Sequence, residues 1–107
     1  MISRLLSCTI DPSKMKEFRT ALNNEFLPRI QSQPGFVENL ESLDPATGQF
    51  TCVTVWKSPA DVAGYDKGLF QEVAKALAPL MKDSPTVRDL PVENSSTQHV
   101  KAGAAKA

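Results

Sequence analysis

Few residues in this chain have the types and spacing of a reaction centre, and Trp56 is the first of them. It is the only tryptophan, and it ends the run Phe50-Thr51-Cys52-Val53-Thr54-Val55-Trp56 just ahead of Ser58-Pro59-Ala60-Asp61. An indole held at a strand end against a helix start either plugs a core or walls a pocket. Two cysteines, Cys8 and Cys52, are too few for a disulfide framework, and buried free thiols are the default reading for them. The single histidine, His99, lies near the C-terminus, so cysteine, histidine and carboxylate positions give no set with zinc-like spacing. The sequence contains no nucleophile–base pair, glycine-rich phosphate loop or dinucleotide fingerprint, and it displays no evident general base.

The elements that must position Trp56 follow from periodicity. Residues 1–10 alternate as a strand, with Ile2, Arg4, Leu6, Cys8 and Ile10 on one face. Asp11-Pro12 starts a helix, along which Met15, Phe18, Leu22, Phe26 and Ile30 recur at three- and four-residue spacing. Pro28 should kink or loosen its last turn, and Pro34-Gly35 ends it. Phe36 to Leu43 reads as a strand whose apolar residues fall on both parities, the mark of a bulge or of burial on both faces. Asp44-Pro45 and Thr47-Gly48 supply turn chemistry, making a hairpin with Phe50–Trp56. Ser58 caps a helix interrupted at Gly68 and resumed from Leu69, with Pro79 fraying its end. A short strand from Thr86 to Val92 carries Pro91 and therefore belongs at a sheet edge.

Composition bounds the function classes. The chain has 107 residues, enough for one domain, and 12 basic residues balance 12 acidic ones. That balance leaves no basic stripe for nucleic acid. No apolar run approaches membrane-spanning length, and the N-terminus lacks the layout of a secretion signal, so a cytoplasmic protein is expected. The order βαββαβ predicts an α+β, ferredoxin-like domain over residues 1–93 with a four-stranded antiparallel sheet. Residues 94–107 have no apolar periodicity and read as a disordered tail. The sheet face away from the helices carries Leu5, Val53 and Val55, which predicts that a second copy covers it as a homodimer.

Pro34-Gly35-Phe36 after the first helix, and Val53-Thr54-Val55-Trp56-Lys57-Ser58 running into the second, resemble the antibiotic biosynthesis monooxygenase family of the dimeric α+β barrel superfamily. The resemblance spans roughly residues 2–92. It implies a cleft between sheet and helices in which a small electron-rich aromatic, a quinol or an anthrone, is oxygenated without metal, flavin or other cofactor. Trp56 and Tyr65 then stand at the catalytic positions. Tyr65 falls nine residues after Trp56, where many members carry a histidine, and it would donate to a substrate oxygen. Arg4, Leu6, Cys8, Phe26 and Phe70 are the expected pocket, with Arg4 stabilising phenolate charge. Haem-degrading relatives use a strand asparagine and a helix histidine where this chain has Leu6 and Ala74, so that branch is not implied. The alternative is a dimeric barrel that binds a small hydrophobic molecule without catalysis.

Overall fold

A computed structural model describes residues 1–97. Strands β1 (Ile2–Thr9), β2 (Phe36–Leu43), β3 (Gln49–Trp56) and β4 (Thr86–Pro91) form one antiparallel sheet in the order β2-β3-β1-β4. This is the expected ferredoxin-like α+β arrangement, with β1 and β3 central and β4 at an edge, where Pro91 is tolerated. The helices cover one face only. Arg4, Cys8, Ile10, Phe50, Thr54 and Trp56 point under them and are buried.

The first helical run begins on Asp11, whose carboxylate accepts from the backbone N–H of Ser13 at 3.0 Å. It continues through α1 (Met15–Thr20), a π-helical segment (Ala21–Phe26) and α2 (Leu27–Gln31). The widened turn explains how Pro28 is accommodated. Leu27 N–H reaches back to the Leu22 carbonyl, five residues away, which opens the ladder beside a residue that has no donor. Phe18, Leu22, Phe26 and Ile30 remain on the sheet side and are buried.

The bulge anticipated in β2 lies at Val37. Phe36 pairs with Trp56 but Glu38 pairs with Val55, leaving Val37 as the extra residue. Beyond it Asn39, Glu41 and Leu43 register with Thr54, Cys52 and Phe50 and share their helix-side face. The hairpin closes at Gly48 with φ +82°, and an added Cβ there would lie 2.1 Å from the Ile10 carbonyl oxygen. That close approach lets Ile10 N–H donate to the Gly48 carbonyl at 2.7 Å.

Helix α3 (Pro59–Lys67) starts on Ser58, whose Oγ accepts from Asp61 N–H and donates to the Asp61 carboxylate at 2.8 Å. It stops at Gly68, and α4 (Leu69–Leu77) follows, ending in a 3₁₀ turn that contains Pro79. After β4, Val92 N–H donates to the Met1 carbonyl, and Thr97 Oγ1 donates to Glu38. The rest of the expected tail, His99 included, lies outside the described residues.

Candidate functional site

The centre of the helix-side face is an aromatic stack. Trp56 has no solvent exposure. Its indole Nε1 donates to Thr54 Oγ1 at 2.9 Å, so strand alternation supplies both the ring and the acceptor for its only polar atom. Tyr65 from α3 lies on the indole at 4.7 Å between centroids, with ring planes 26° apart. Phe70, at the start of α4, meets Tyr65 edge-on at 5.5 Å, and Phe36 flanks Trp56 at 5.8 Å. The tyrosine ring is therefore held between Trp56 and Phe70 before any ligand enters.

Beside this stack a cleft opens between sheet and helices, with a cavity volume of about 60 Å³ that is continuous with solvent at its mouth. Its floor is Leu6, Asn39, Glu41, Phe50, Cys52 and Thr54, and its roof comes from Phe18, Leu22, Tyr65, Phe70, Val73 and Leu77. The lining is overwhelmingly apolar, because the helical stripe that packs on a sheet also ceils the gap where packing is incomplete. Against that background three polar side chains stand out: the Tyr65 hydroxyl, the Asn39 amide and the Glu41 carboxylate. Among the described residues none of the three has a hydrogen-bonding or ionic protein partner.

Desolvation sets their protonation. Burial, reinforced by Cys52, pushes the Tyr65 phenol well above its ordinary value, so it remains a donor at neutral pH. Burial likewise raises the Glu41 carboxyl. The Cys52 thiol is pushed up to about 12 by burial and then by Glu41, and Cys8 to about 11 by burial and then by Asp83. Both thiols are free; Cys52 pairs in register with Leu6 and Cys8 with Phe50, so the two lie diagonally across β1 and β3. Among the described residues no cluster of three or more histidine, cysteine or carboxylate side chains could hold a metal ion.

Of the residues singled out by sequence, Tyr65, Leu6 and Phe70 line the cleft. Trp56 lies beneath it, touching Tyr65 rather than the open space. Cys8 and Phe26 belong to the buried core beside the cleft and do not line it. Arg4 is buried and fully engaged. It makes four hydrogen bonds, two to the Asp89 carboxylate at 2.8 Å each and two to Asp66, and its guanidinium lies 5.1 Å from the Phe70 ring centroid. These ties join β1 to β4 and to α3, and they hold Arg4 charged through its bonds to Asp89 and Asp66. Asn39 and Glu41 were not legible as site residues. The signal was present in the mixed parity of Phe36–Leu43, but only locating the bulge at Val37 turns those two side chains inward.

With this geometry, the chain can be set beside known proteins. No family model matches it, and no curated protein does. Solved structures match its fold. A Caulobacter crescentus CB15 protein whose name provisionally assigns it to the antibiotic biosynthesis monooxygenases superposes with a TM-score of 0.75 at 16% identity, covering 85% of this chain and 88% of that one. A monooxygenase from the ActVA-Orf6 gene of Streptomyces coelicolor, solved with the ligand nanaomycin D, gives 0.72 at 14% identity, with 88% of each chain covered. A Nitrosomonas europaea protein of unknown function, NE2512, gives 0.75 at 13% identity over 89% of this chain and 91% of that one. The chain therefore has the ferredoxin-like fold shared by structures named antibiotic biosynthesis monooxygenases. At these identities the likeness is one of fold.

Proposed function

We propose that the protein is a monooxygenase that oxidises a small, electron-rich hydroxyaromatic, of quinol or anthrone type, in the cleft beside Tyr65, without metal or flavin. The observation that carries this reading is the cleft itself: an apolar, solvent-open slot between sheet and helices with a phenol that has no protein partner among the described residues at one wall. A flat ring slides between the floor at Leu6 and Cys52 and the roof at Phe70 and Val73, while Tyr65 donates to its oxygen. Withdrawal from water raises the electron density available to oxygen, and the substrate supplies the electrons. In an anthrone the ring methylene becomes a carbonyl, and in a quinol a ring C–H becomes C–OH as the quinol is oxidised to the quinone; in both, one atom of O₂ enters the product and the other leaves as water. Trp56 acts through Tyr65, whose ring it fixes. Arg4, Cys8 and Phe26 support the cleft from behind.

The protein works as a homodimer in this reading. Leu40, Val53 and Leu5 form a continuous apolar line across β2, β3 and β1 on the face without helices, and Leu40 is 69% exposed. A second copy laid on that line buries it. Leu40→Lys should shift light scattering from dimer to monomer. No helix among the described residues is long and apolar enough to cross a membrane, and the reading places the protein in the cytoplasm.

Oxygen consumption tests the activity. Protein-dependent uptake is expected with 1,8-dihydroxyanthrone or a reduced naphthoquinol, and Tyr65→Phe should slow it by at least tenfold. Saturable binding of these compounds with no uptake across such a panel would instead establish a hydrophobic-ligand binder.

A further inference from the structure

The oxygenation chemistry needs a group to remove a proton, and no residue singled out by sequence supplies one. Glu41 does so by position. The bulge at Val37 turns its side chain onto the helix-side face, in register with Cys52, which is itself in register with Leu6. All three line the cleft, and Glu41 is half-buried there without an ion-pair or hydrogen-bond partner among the described residues. A carboxylate partly withdrawn from water without an ion-pair partner adds nothing to stability, since burial of a charge costs more than it returns. We infer that Glu41 is the proton acceptor of the cleft, taking the acidic proton of a hydroxyaromatic ligand whose oxygen is held by Tyr65.

The step balances within the pair. The acidic C–H or O–H bond of the ligand breaks, its electron pair stays on the ring as an enolate or phenolate, and the proton forms an O–H bond on the Glu41 carboxyl. The acid so formed returns the proton to solvent through the cleft mouth. Other titratable groups facing this space are Cys52 from β3 and Tyr65 from α3. The first helical run and α4 contribute only apolar side chains to the lining. Cys52, pushed up to about 12, and Tyr65, pushed well above its ordinary value by burial, both stay protonated where a carboxylate is charged. Among the described residues that line the cleft, Glu41 is thus the one basic group, and partial desolvation strengthens it as a base.

The inference rests on reading the cleft as a substrate site, and the experiment separates the two. In anaerobic D₂O, NMR follows exchange of the C10 methylene protons of 1,8-dihydroxyanthrone, which requires a base but no oxygen. Wild-type protein should accelerate exchange over buffer, with an acid limb set by one carboxyl. Glu41→Gln should lose about 100-fold or more of that acceleration while still binding 1,8-dihydroxyanthraquinone. Glu41→Asp, with its carboxylate drawn back by one methylene, should fall between. Exchange without oxygen uptake in air would keep the base and sink the oxygenase. Oxygen uptake and exchange within threefold of wild type in Glu41→Gln would overturn the base and keep the oxygenase. A wild type that binds the anthraquinone but accelerates no exchange also overturns it, and one that does not bind it overturns both.

Discussion

Trp56 gives the sharpest test of how this fold is held. The side chain is fully buried, and an aromatic ring of its kind removes about 150–250 Å² from water, worth roughly 4–6 kcal/mol at about 25 cal/mol per Å². Relaxation around the vacancy lowers the expectation, so Trp56→Ala should cost about 3–5 kcal/mol. The indole N–H adds a separable part. Thr54→Val keeps the shape and β-preference of the residue but leaves the Nε1 donor buried without its acceptor, which costs about 1–3 kcal/mol. In Trp56→Phe there is no N–H to strand, so the same Thr54→Val change should be nearly neutral. The difference between backgrounds is the coupling energy of the pair. Urea unfolding at constant m-value measures every corner of this cycle, and loss of emission from the only tryptophan reports the transition wherever it is present; circular dichroism serves the variants without it. A cost below about 1.5 kcal/mol for Trp56→Ala, or equal costs of Thr54→Val in both backgrounds, would refute the reasoning.

Three further outcomes follow from the same structure. Asp89 is held below its ordinary value, first by its hydrogen bond to Arg4, so its stabilisation is present above the usual carboxylate range and disappears as pH falls through the lowered folded value; Asp89→Asn should flatten that acid limb in urea midpoints taken from pH 2 to 6. Glu41 has the opposite sign, because its folded value is raised: below its unfolded value near 4.5 it costs nothing, and stability declines as pH rises toward and through the folded value. Thermal midpoints of Glu41→Gln should therefore exceed wild type at pH 7 to 8 and converge with it in acid. Gly48→Ala meets a backbone carbonyl at 2.1 Å as well as an unfavourable φ, so its cost in a urea titration should exceed the ~1–2 kcal/mol of the φ alone.

The sheet and helices were legible because each rests on a local rule. Alternation set β1 and β3, Pro and Ser starts set the helices, and Gly68 divided the second helical region where an interruption was expected. Pro28 announced irregularity, though its form, a π-helical turn before the proline rather than a kink after it, depends on which carbonyl must be spared. The site was less legible for a physical reason. Arg4 stood on the inner face as an available cation, but pairing with Asp66 and Asp89 comes from α3 and β4, which are distant in sequence. Glu41 could not be given a face from the mixed parity of β2, and the single inserted residue at Val37 is what turns it toward the helices. Long-range partners and the place of a bulge are tertiary facts, and both govern which charges a ligand meets.

In the proposed reading, the roles given to Tyr65 and Glu41 explain how an apolar cleft suffices for the chemistry. The same withdrawal from water raises both groups, with opposite consequences for use. A phenol raised from its ordinary range stays protonated and serves as a donor to ligand oxygen. A carboxyl raised from its ordinary range remains the group that ionises first, and becomes a stronger acceptor when it does. One wall of the cleft can therefore stabilise developing negative charge while its floor takes the proton that releases it. Neither role needs Arg4, whose charge is spent holding β1, β4 and α3 together, and the separation is testable in one assay. Arg4→Met should lower the urea midpoint by removing bonds to Asp66 and Asp89, at about 1–3 kcal/mol because both carboxylates can rehydrate. In protein that remains folded, the acid limb of anthrone exchange should stay where wild type has it. A displaced limb would mean that Arg4, and not desolvation, sets the basicity of the floor.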